Sequence, residues 1–253
     1  MAVEIDRGLK KGGLYISVDK ETRILDELMG KISSKQFKAG QKLPSENELA
    51  NHYGVPRMTV RAALTKLEER GHIFSKQGKG RFLKKESIQI QLHLTGKVSF
   101  TEKMEQAGYD LETRLAGCEK IGYDERIYRL LECDPADDVY RVSRIRFIDR
   151  QPIAIHNSYV SEKMFPEIAT EGLGIRSMFA YYRQHGYTEF AGSKTFLSVA
   201  FPTSAEQQLL QCKSMVPLLM VENDCIDEAT GKVLEHSKIL YRSDKFKYDI
   251  TMD

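Results

Sequence analysis

The chain has no tryptophan and only four cysteines in 253 residues, and these four (Cys118, Cys133, Cys212 and Cys225) are too widely spaced to form a C-x-x-C pair. Zinc binding or disulfide exchange through such a pair is excluded, and the thiols are expected to be reduced, half-buried fillers. Long apolar runs are missing too. The longest, Met215–Val221, is interrupted by Pro217 and falls far short of the roughly 20 residues a membrane helix needs. The opening MAVEIDRGLKKGG carries charges where a secretory signal needs an apolar stretch, so a cytoplasmic protein with a flexible tail over 1–13 is expected. There is no internal repeat and no low-complexity segment. Hydrophobic residues at 41% and charged residues at 29% are ordinary globular usage, which excludes fibrous and wholly disordered chains, and the length suits two domains.

The net charge of +2 conceals an asymmetry. Residues 57–85 carry nine Lys or Arg against Glu68 and Glu69, a local charge of +7 that leaves −5 on the rest. A short basic block on an otherwise acidic chain is a footprint for a polyanion, provided that it folds into one surface.

The local pattern supplies that surface. Asp19 is placed to cap a helix carrying Ile24, Leu25, Leu28, Met29 and Ile32 at three- and four-residue spacing. Ser45 and Glu48 form an S-x-x-E capping box that starts a second helix, which Gly54 stops. A third helix, opening at Pro56, carries Val60, Ala63, Leu64 and Leu67 on one face as far as Gly71. So tight a turn between two short helices reads as helix-turn-helix, with Arg57, Met58, Thr59 and Arg61 foremost on the recognition helix. A hairpin follows, its glycine-rich tip Gln77-Gly78-Lys79-Gly80 flanked by Lys76 and Arg81. The whole is a winged helix-turn-helix, expected over 14–85, with a linker over 86–95.

The run LPSENELANHYGVPRMTVRAALTKLEERGHIFSKQGKGRFL closely resembles the DNA-binding domain of the GntR family of bacterial transcription regulators. That resemblance implies DNA contacts by Ser45, Glu46, Arg57, Thr59 and Arg61, and by a wing tip, Gln77, Gly78, Lys79 and Gly80, entering the minor groove. The chain departs from the family at Pro56, where Ser or Thr is usual, and at Asn47, where some members have Arg.

Beyond the linker, helices are expected near 99–107, 124–132, 175–185 and 204–211. Strands are expected near 111–121, 139–149, 153–161, 189–201, 217–227 and 232–243, giving an α+β domain over 96–250 with an antiparallel sheet. On the strand from Val139, Tyr140, Val142, Arg144, Arg146 and Ile148 share a face, so two arginines interrupt an apolar row. The row is an exposed face, or each arginine pairs with a nearby carboxylate, or the two form an anion clamp. Ser99-Phe100-Thr101-Glu102 is a second capping box, read either as plain capping or as a helix start offering N–H groups to an anion. Glu235 and Tyr241 share a strand face where they would suit hydroxyls or an amine.

The order of these signals resembles the UTRA effector-binding domain of the HutC branch of the GntR family, which has a chorismate-lyase-like fold. By that resemblance the effector pocket comprises Ser99, Phe100, Thr101, Arg144, Arg146, His156, Ser177, Glu235 and Tyr241. Ser99, Thr101 and Arg144 would hold a phosphate, with Arg146, Glu235 and Tyr241 completing the pocket. His156 stands where the branch often has Glu; it is either a ligand contact suited to a different uncharged end or an ordinary hydrogen-bonded histidine.

The resulting expectation is a homodimeric, effector-responsive regulator, a repressor of a catabolic or transport operon on a palindromic operator. A small anionic metabolite such as a phosphorylated sugar would release it, without cofactor, metal or membrane. An enzyme of the same fold is the alternative, although no G-x-S-x-G, H-E-x-x-H or phosphate-binding glycine loop is present. An activator or a metal sensor on the same DNA-binding domain is the other alternative, but its six histidines stand at no ligand spacing.

Overall fold

The computed structural model describes residues 18–84, 90–92, 98–192 and 194–248; the expected tail and most of the expected linker lie outside these. The chain divides into two compact units, one ending at Leu83 and the other running from Lys84, with Glu68–Phe74 grouped with the second.

In the first unit, Asp19 accepts from the Thr22 N–H at 2.8 Å and starts α1 (Lys20–Ser33), which buries Ile24, Leu25 and Leu28. The capping box at Ser45 closes as its sequence demands: Glu48 N–H donates to Ser45 Oγ and Ser45 N–H to Glu48 Oε2, opening α2 (Glu46–Tyr53). Gly54 ends α2 in the left-handed region at φ +60°, where a side chain would be strained. α3 (Arg57–Glu69) begins one residue later than expected. Pro56 stands just outside it, and the Pro56 carbonyl accepts from Thr59 N–H at 3.0 Å. The apolar side of α3, Val60, Ala63, Leu64 and Leu67, is fully buried; each large aliphatic side chain so covered stabilises by about 1.5–3 kcal/mol. β1 (Ile73–Lys76) and β2 (Gly80–Leu83) pair as the expected hairpin, turning through Gly78 at φ +69° and Gly80 at φ +96°.

The second unit begins with β3 (Ile90–Leu92), α4 (Phe100–Gln106), β4 (Leu111–Lys120), α5 (Glu125–Leu130), β5 (Val139–Ile148) and β6 (Gln151–Ser161). It continues with α6 (Ile168–Glu171), α7 (Met178–Gln184), β7 (Phe190–Gly192), β8 (Phe196–Ala200), α8 (Ser204–Leu210), β9 (Leu218–Asp227), β10 (Val233–Arg242) and β11 (Phe246–Tyr248). Seven strands form one antiparallel sheet in the order β4-β5-β6-β10-β9, with β7 and β8 both on the far side of β9. The single strand expected over 189–201 is thus two, laid end to end against Asp227–Cys225 and Glu222–Leu218. The short α6 had no counterpart in the sequence reading. β11 pairs in parallel with β3.

One face of the sheet carries Val142, Val160 and Leu234 beneath Met178, Tyr181 and Tyr182 of α7, and Ala154, Val221 and Tyr241 beside Met104 of α4. The other face packs Val139 with Ile127 and Tyr128 of α5, and Ile155, Leu218 and Leu240 with Leu210 of α8. Alternation along each strand therefore sends Arg144 and Arg146 into the α4/α7 side rather than to solvent.

Candidate nucleic-acid interface and ligand cavity

In the first unit a single carboxylate gathers the arginines. Glu46, the first residue of α2, accepts from Arg57 Nε at 2.7 Å, from Arg61 Nη2 at 3.0 Å and from Arg81 Nη1 at 2.9 Å. It ties the start of α2, the start of α3 and the wing strand β2 into one array. The hydrogen bond from Arg61, followed by that from Arg57, holds the Glu46 carboxyl down at about 2. Arg57 and Arg61 still leave 55% and 43% of their side chains in water, so they have donors to offer. Ser45 is exposed but engaged in its cap, Thr59 is half-buried, Met58 is exposed, and Gln77, Gly78, Lys79 and Gly80 form an exposed tip. No Cβ clash would arise at Gly78, so its positive φ is what asks for glycine there.

The nine residues expected to hold an effector all line one cavity of the second unit, with a volume of about 120 Å³. That is room for several waters or a small polar molecule. Sheet register explains the convergence. One row across the strands reads Arg144, His156, Ile239, Val221; the next reads Arg146, Ala154, Tyr241, Leu219. Ser99 and Thr101 reach the cavity from the start of α4, and Ser177 from the cap of α7.

Arg144 and Arg146 are 3% and 2% exposed, which removes the exposed-face reading. An Arg144 Nη2–H donates to Ser158 Oγ, whose own hydroxyl donates to Glu235 Oε1; Tyr182 OH donates to Glu235 Oε2 at 2.9 Å. Burial, reinforced by the Glu235 charge, pushes the Tyr182 phenol well above its usual range, so it remains a donor. Both Glu235 oxygens are thereby engaged inside the protein.

Arg146 differs. Its Nη1 donates to Thr113 Oγ1 at 2.5 Å and to the Arg176 carbonyl at 3.0 Å, and the guanidinium lies 5.6 Å from the Phe100 ring centre. All of these partners are neutral. Burial, then the nearby Arg144 charge, draws Arg146 down to about 9, which still leaves it cationic at neutral pH. Among the described residues, the Nε groups of both arginines have no hydrogen-bond partner.

His156 is 4% exposed, packed edge-on against Phe100 and Tyr241 at 4.7 and 5.6 Å between ring centres. Burial and then the charges of Arg146 and Arg144 push it well below its usual range, so the ring is neutral, and Nε2 has no partner among the described residues. It is not an ordinary hydrogen-bonded histidine on that side. The capping box of α4 is closed on itself, since Glu102 N–H donates to Ser99 Oγ at 3.1 Å and Ser99 N–H to Glu102 Oε2 at 2.9 Å. Glu102 also accepts from Arg183.

Sequence reasoning missed Ser158, Tyr182 and Asn223, and placed Ser237 on the strand face of Glu235 and Tyr241 without giving it a role. Ser237 Oγ donates to Asn223 across β9 and β10, and both residues line the cavity. For the strand residues the only signal was register, a strand pairing that the sequence does not specify, whereas Tyr182 reaches Glu235 from α7.

Residues 20–83 match the bacterial regulatory proteins of the gntR family and residues 106–247 match the UTRA domain. The chain is 27% identical over 231 residues to the HTH-type transcriptional repressor NagR of Bacillus subtilis (strain 168), covering 91% of this chain and 93% of that protein. It is 26% identical over 231 residues to the mannosyl-D-glycerate transport/metabolism system repressor MngR of Escherichia coli (strain K12), covering 90% and 93%. Among solved structures, PhnF from Mycobacterium smegmatis shares the fold, with a TM-score of 0.58 at 22% identity over 91% of this chain and 99% of that one. The family and these relatives are transcription regulators rather than enzymes, and no described helix is long and apolar enough to cross a membrane. With a GntR-type DNA-binding domain followed by a UTRA domain that matches more than half of its length, this chain belongs to the HutC-type branch of the GntR family of transcription regulators.

Proposed function

We propose that this chain is a cytoplasmic repressor that binds a palindromic operator as a homodimer and releases it when a small anionic metabolite, such as a phosphorylated sugar, fills the cavity. In this reading 14–85 is the DNA-binding domain, 86–95 the linker and 96–250 the effector domain. The observation that carries the ligand class is a charge imbalance: two buried guanidiniums, Arg144 and Arg146, face one buried carboxylate, Glu235. Glu235 is coupled to Arg144 through Ser158, so Arg146 is the cation left with neutral partners. An uncompensated buried charge is costly, and a ligand phosphate or carboxylate relieves that cost. Arg146 therefore holds the anion, with Arg144 beside it, Ser99 and Thr101 at the rim, and neutral His156 accepting a ligand hydroxyl at Nε2. Glu235 positions Arg144 rather than meeting the ligand.

A relative named as the repressor of a mannosyl-D-glycerate transport/metabolism system and one named as a probable repressor of a fructoselysine utilization operon support a sugar-like body for the ligand. For the DNA, Glu46 would hold Arg57, Arg61 and Arg81 in register until phosphates replace it, while the tip from Gln77 to Gly80 enters the minor groove. Release needs only that the ligand prefer one arrangement of the dimer over the other.

A thermal-shift screen of sugar phosphates, sugar acids and their neutral parents tests the ligand class, since a ligand bound by the folded state alone raises the melting temperature. The expected result is that an anionic member gives the largest rise and displaces a duplex selected by the protein from a random library. A neutral ligand giving the largest rise overturns the ligand class, and a ligand that tightens the DNA complex overturns release.

A further inference from the structure

The helix α3 carries one side chain that serves neither the core nor the arginine array. Met58, its second residue, is 65% exposed, more than any other large apolar residue among those described. Helix geometry puts it there. At about 100° per residue the buried Val60, Ala63, Leu64 and Leu67 gather on one side, and Met58, Ala62 and Thr65 fall on the opposite side, with Ala62 half-buried and Thr65 exposed. Arg57 and Arg61 lie beside this stripe, and both are drawn toward Glu46. The foremost turn of the helix thus presents a flexible apolar side chain to the outside, flanked by guanidiniums.

We infer that Met58 determines sequence specificity by reading the 5-methyl group of a thymine in the major groove, so that the preferred duplex carries a thymine against it. The inference rests on α3 being the recognition helix. In that arrangement the N-terminal turn meets the base edges, and helical side chains lean toward the N-terminus, which carries Met58 toward them. A thioether donates no hydrogen bond and accepts one only weakly, so Met58 is unsuited to the polar pattern of a base edge. What suits it is the apolar group that the major groove displays, the thymine methyl.

The surroundings select this occupant over an apolar protein partner. Residues 57–85 carry a net charge of +7, and the Arg57 and Arg61 side chains remain 55% and 43% in water. A protein pocket closing over Met58 would press these guanidiniums against apolar surface, and removing charge from water is costly. DNA meets both needs at once, because its phosphates take the guanidiniums while the groove takes the methionine. Phosphate contacts fix the position of the helix but carry no sequence information. A methyl contact at Met58 supplies some.

The test uses the full chain and the duplex that wild type selects from a random library, with each thymine replaced in turn by deoxyuridine, which lacks only the methyl. Fluorescence anisotropy at fixed salt reads the affinity of wild type and of Met58→Ala. Far-UV circular dichroism checks the fold, which an alanine at an exposed helical position should leave intact. At one thymine or more, wild type is expected to bind the deoxyuridine duplex about fourfold more weakly, the worth of one buried methyl-sized group, and Met58→Ala is expected to bind the two duplexes equally. An effect of the methyl on the DNA alone would persist in the variant, so the loss of the difference is what assigns the contact to Met58. If no thymine is sensitive, or the sensitive one is equally so in Met58→Ala, the methyl reading is wrong and α3 stands as the recognition helix. A Met58→Ala chain that is folded but binds no duplex would give Met58 more than a methyl contact and overturn the inference as well. If Arg57→Ala and Arg61→Ala both bind the selected duplex as wild type does, α3 is not the recognition helix and the inference falls with it.

Discussion

Glu46 and Glu235 each sit among arginines, but Glu46 shares three guanidiniums close to water, whereas Glu235 reaches one guanidinium through a buried serine. Near water, solvent and salt screen such pairs, so they are weak and easily exchanged. Arg57 and Arg61 are therefore able to trade a carboxylate for a phosphate at little cost. Glu235 is 5% exposed and shielded from bulk solvent, so breaking the set leaves a buried charge alone. The same residue types thus make a replaceable array in one unit and a fixed one in the other. Mutations in the first should register in DNA binding, and mutations in the second in stability and ligand affinity.

The largest effect that would break this comparison is at Glu235. Glu235→Ala leaves Arg144 buried without its carboxylate and is expected to cost about 3–5 kcal/mol of folding stability, read by urea denaturation. A loss below about 1 kcal/mol would mean that the Ser158 bridge carries no charge pairing. Next in size, Arg57→Ala and Arg61→Ala are each expected to weaken binding to the selected duplex about tenfold or more while leaving the melting temperature nearly unchanged, by fluorescence anisotropy at fixed salt. Lost stability with intact DNA binding would make this array structural, like the buried one.

Acid sharpens the comparison further. The Glu46 carboxyl is held at about 2, below its usual 4.5, so its contribution to stability is fully present above pH 4.5 and is lost as pH falls through 2. The stability difference between wild type and Glu46→Gln should therefore shrink steadily from pH 5 to pH 2. A difference independent of pH over that window would show that the carboxylate charge does not hold the array. The last prediction concerns the wing. Gly78→Val forces a β-branched residue to φ +69° with open space around it, costing about 1–3 kcal/mol locally, yet it should reduce minor-groove protection in footprinting without unfolding the chain. Unchanged protection would remove the tip from the interface.

The two units also differed in how much of them could be read beforehand. The winged unit announces itself locally: the cap of Ser45 lies three residues from its partner Glu48, Gly54 stops the helix it follows, and the glycines of the tip sit where the hairpin turns. The cavity is assembled from afar. Arg144, Ser158, Tyr182 and Glu235 come from β5, β6, α7 and β10, and nothing near Ser158 in sequence marks it as the bridge between an arginine and a glutamate. Family resemblance named nine cavity residues that the fold does bring together. Resemblance did not distinguish those that hold one another, such as Glu235, from those left without a partner, such as His156 Nε2, because that depends on sheet register. The start of α3 was misplaced by one residue for a smaller reason: the Pro56 carbonyl, rather than its ring, begins the hydrogen bonding.

The measurement that bears most directly on the account is release of the fluorescent selected duplex by the strongest ligand from the thermal screen, for wild type and for Arg146→Ala. The account predicts an anionic ligand, wild-type DNA affinity for the variant without ligand, and at least about tenfold more ligand needed to release it, because a charge-assisted bond to a buried anion is lost. Release of the variant at the wild-type ligand concentration would contradict the account.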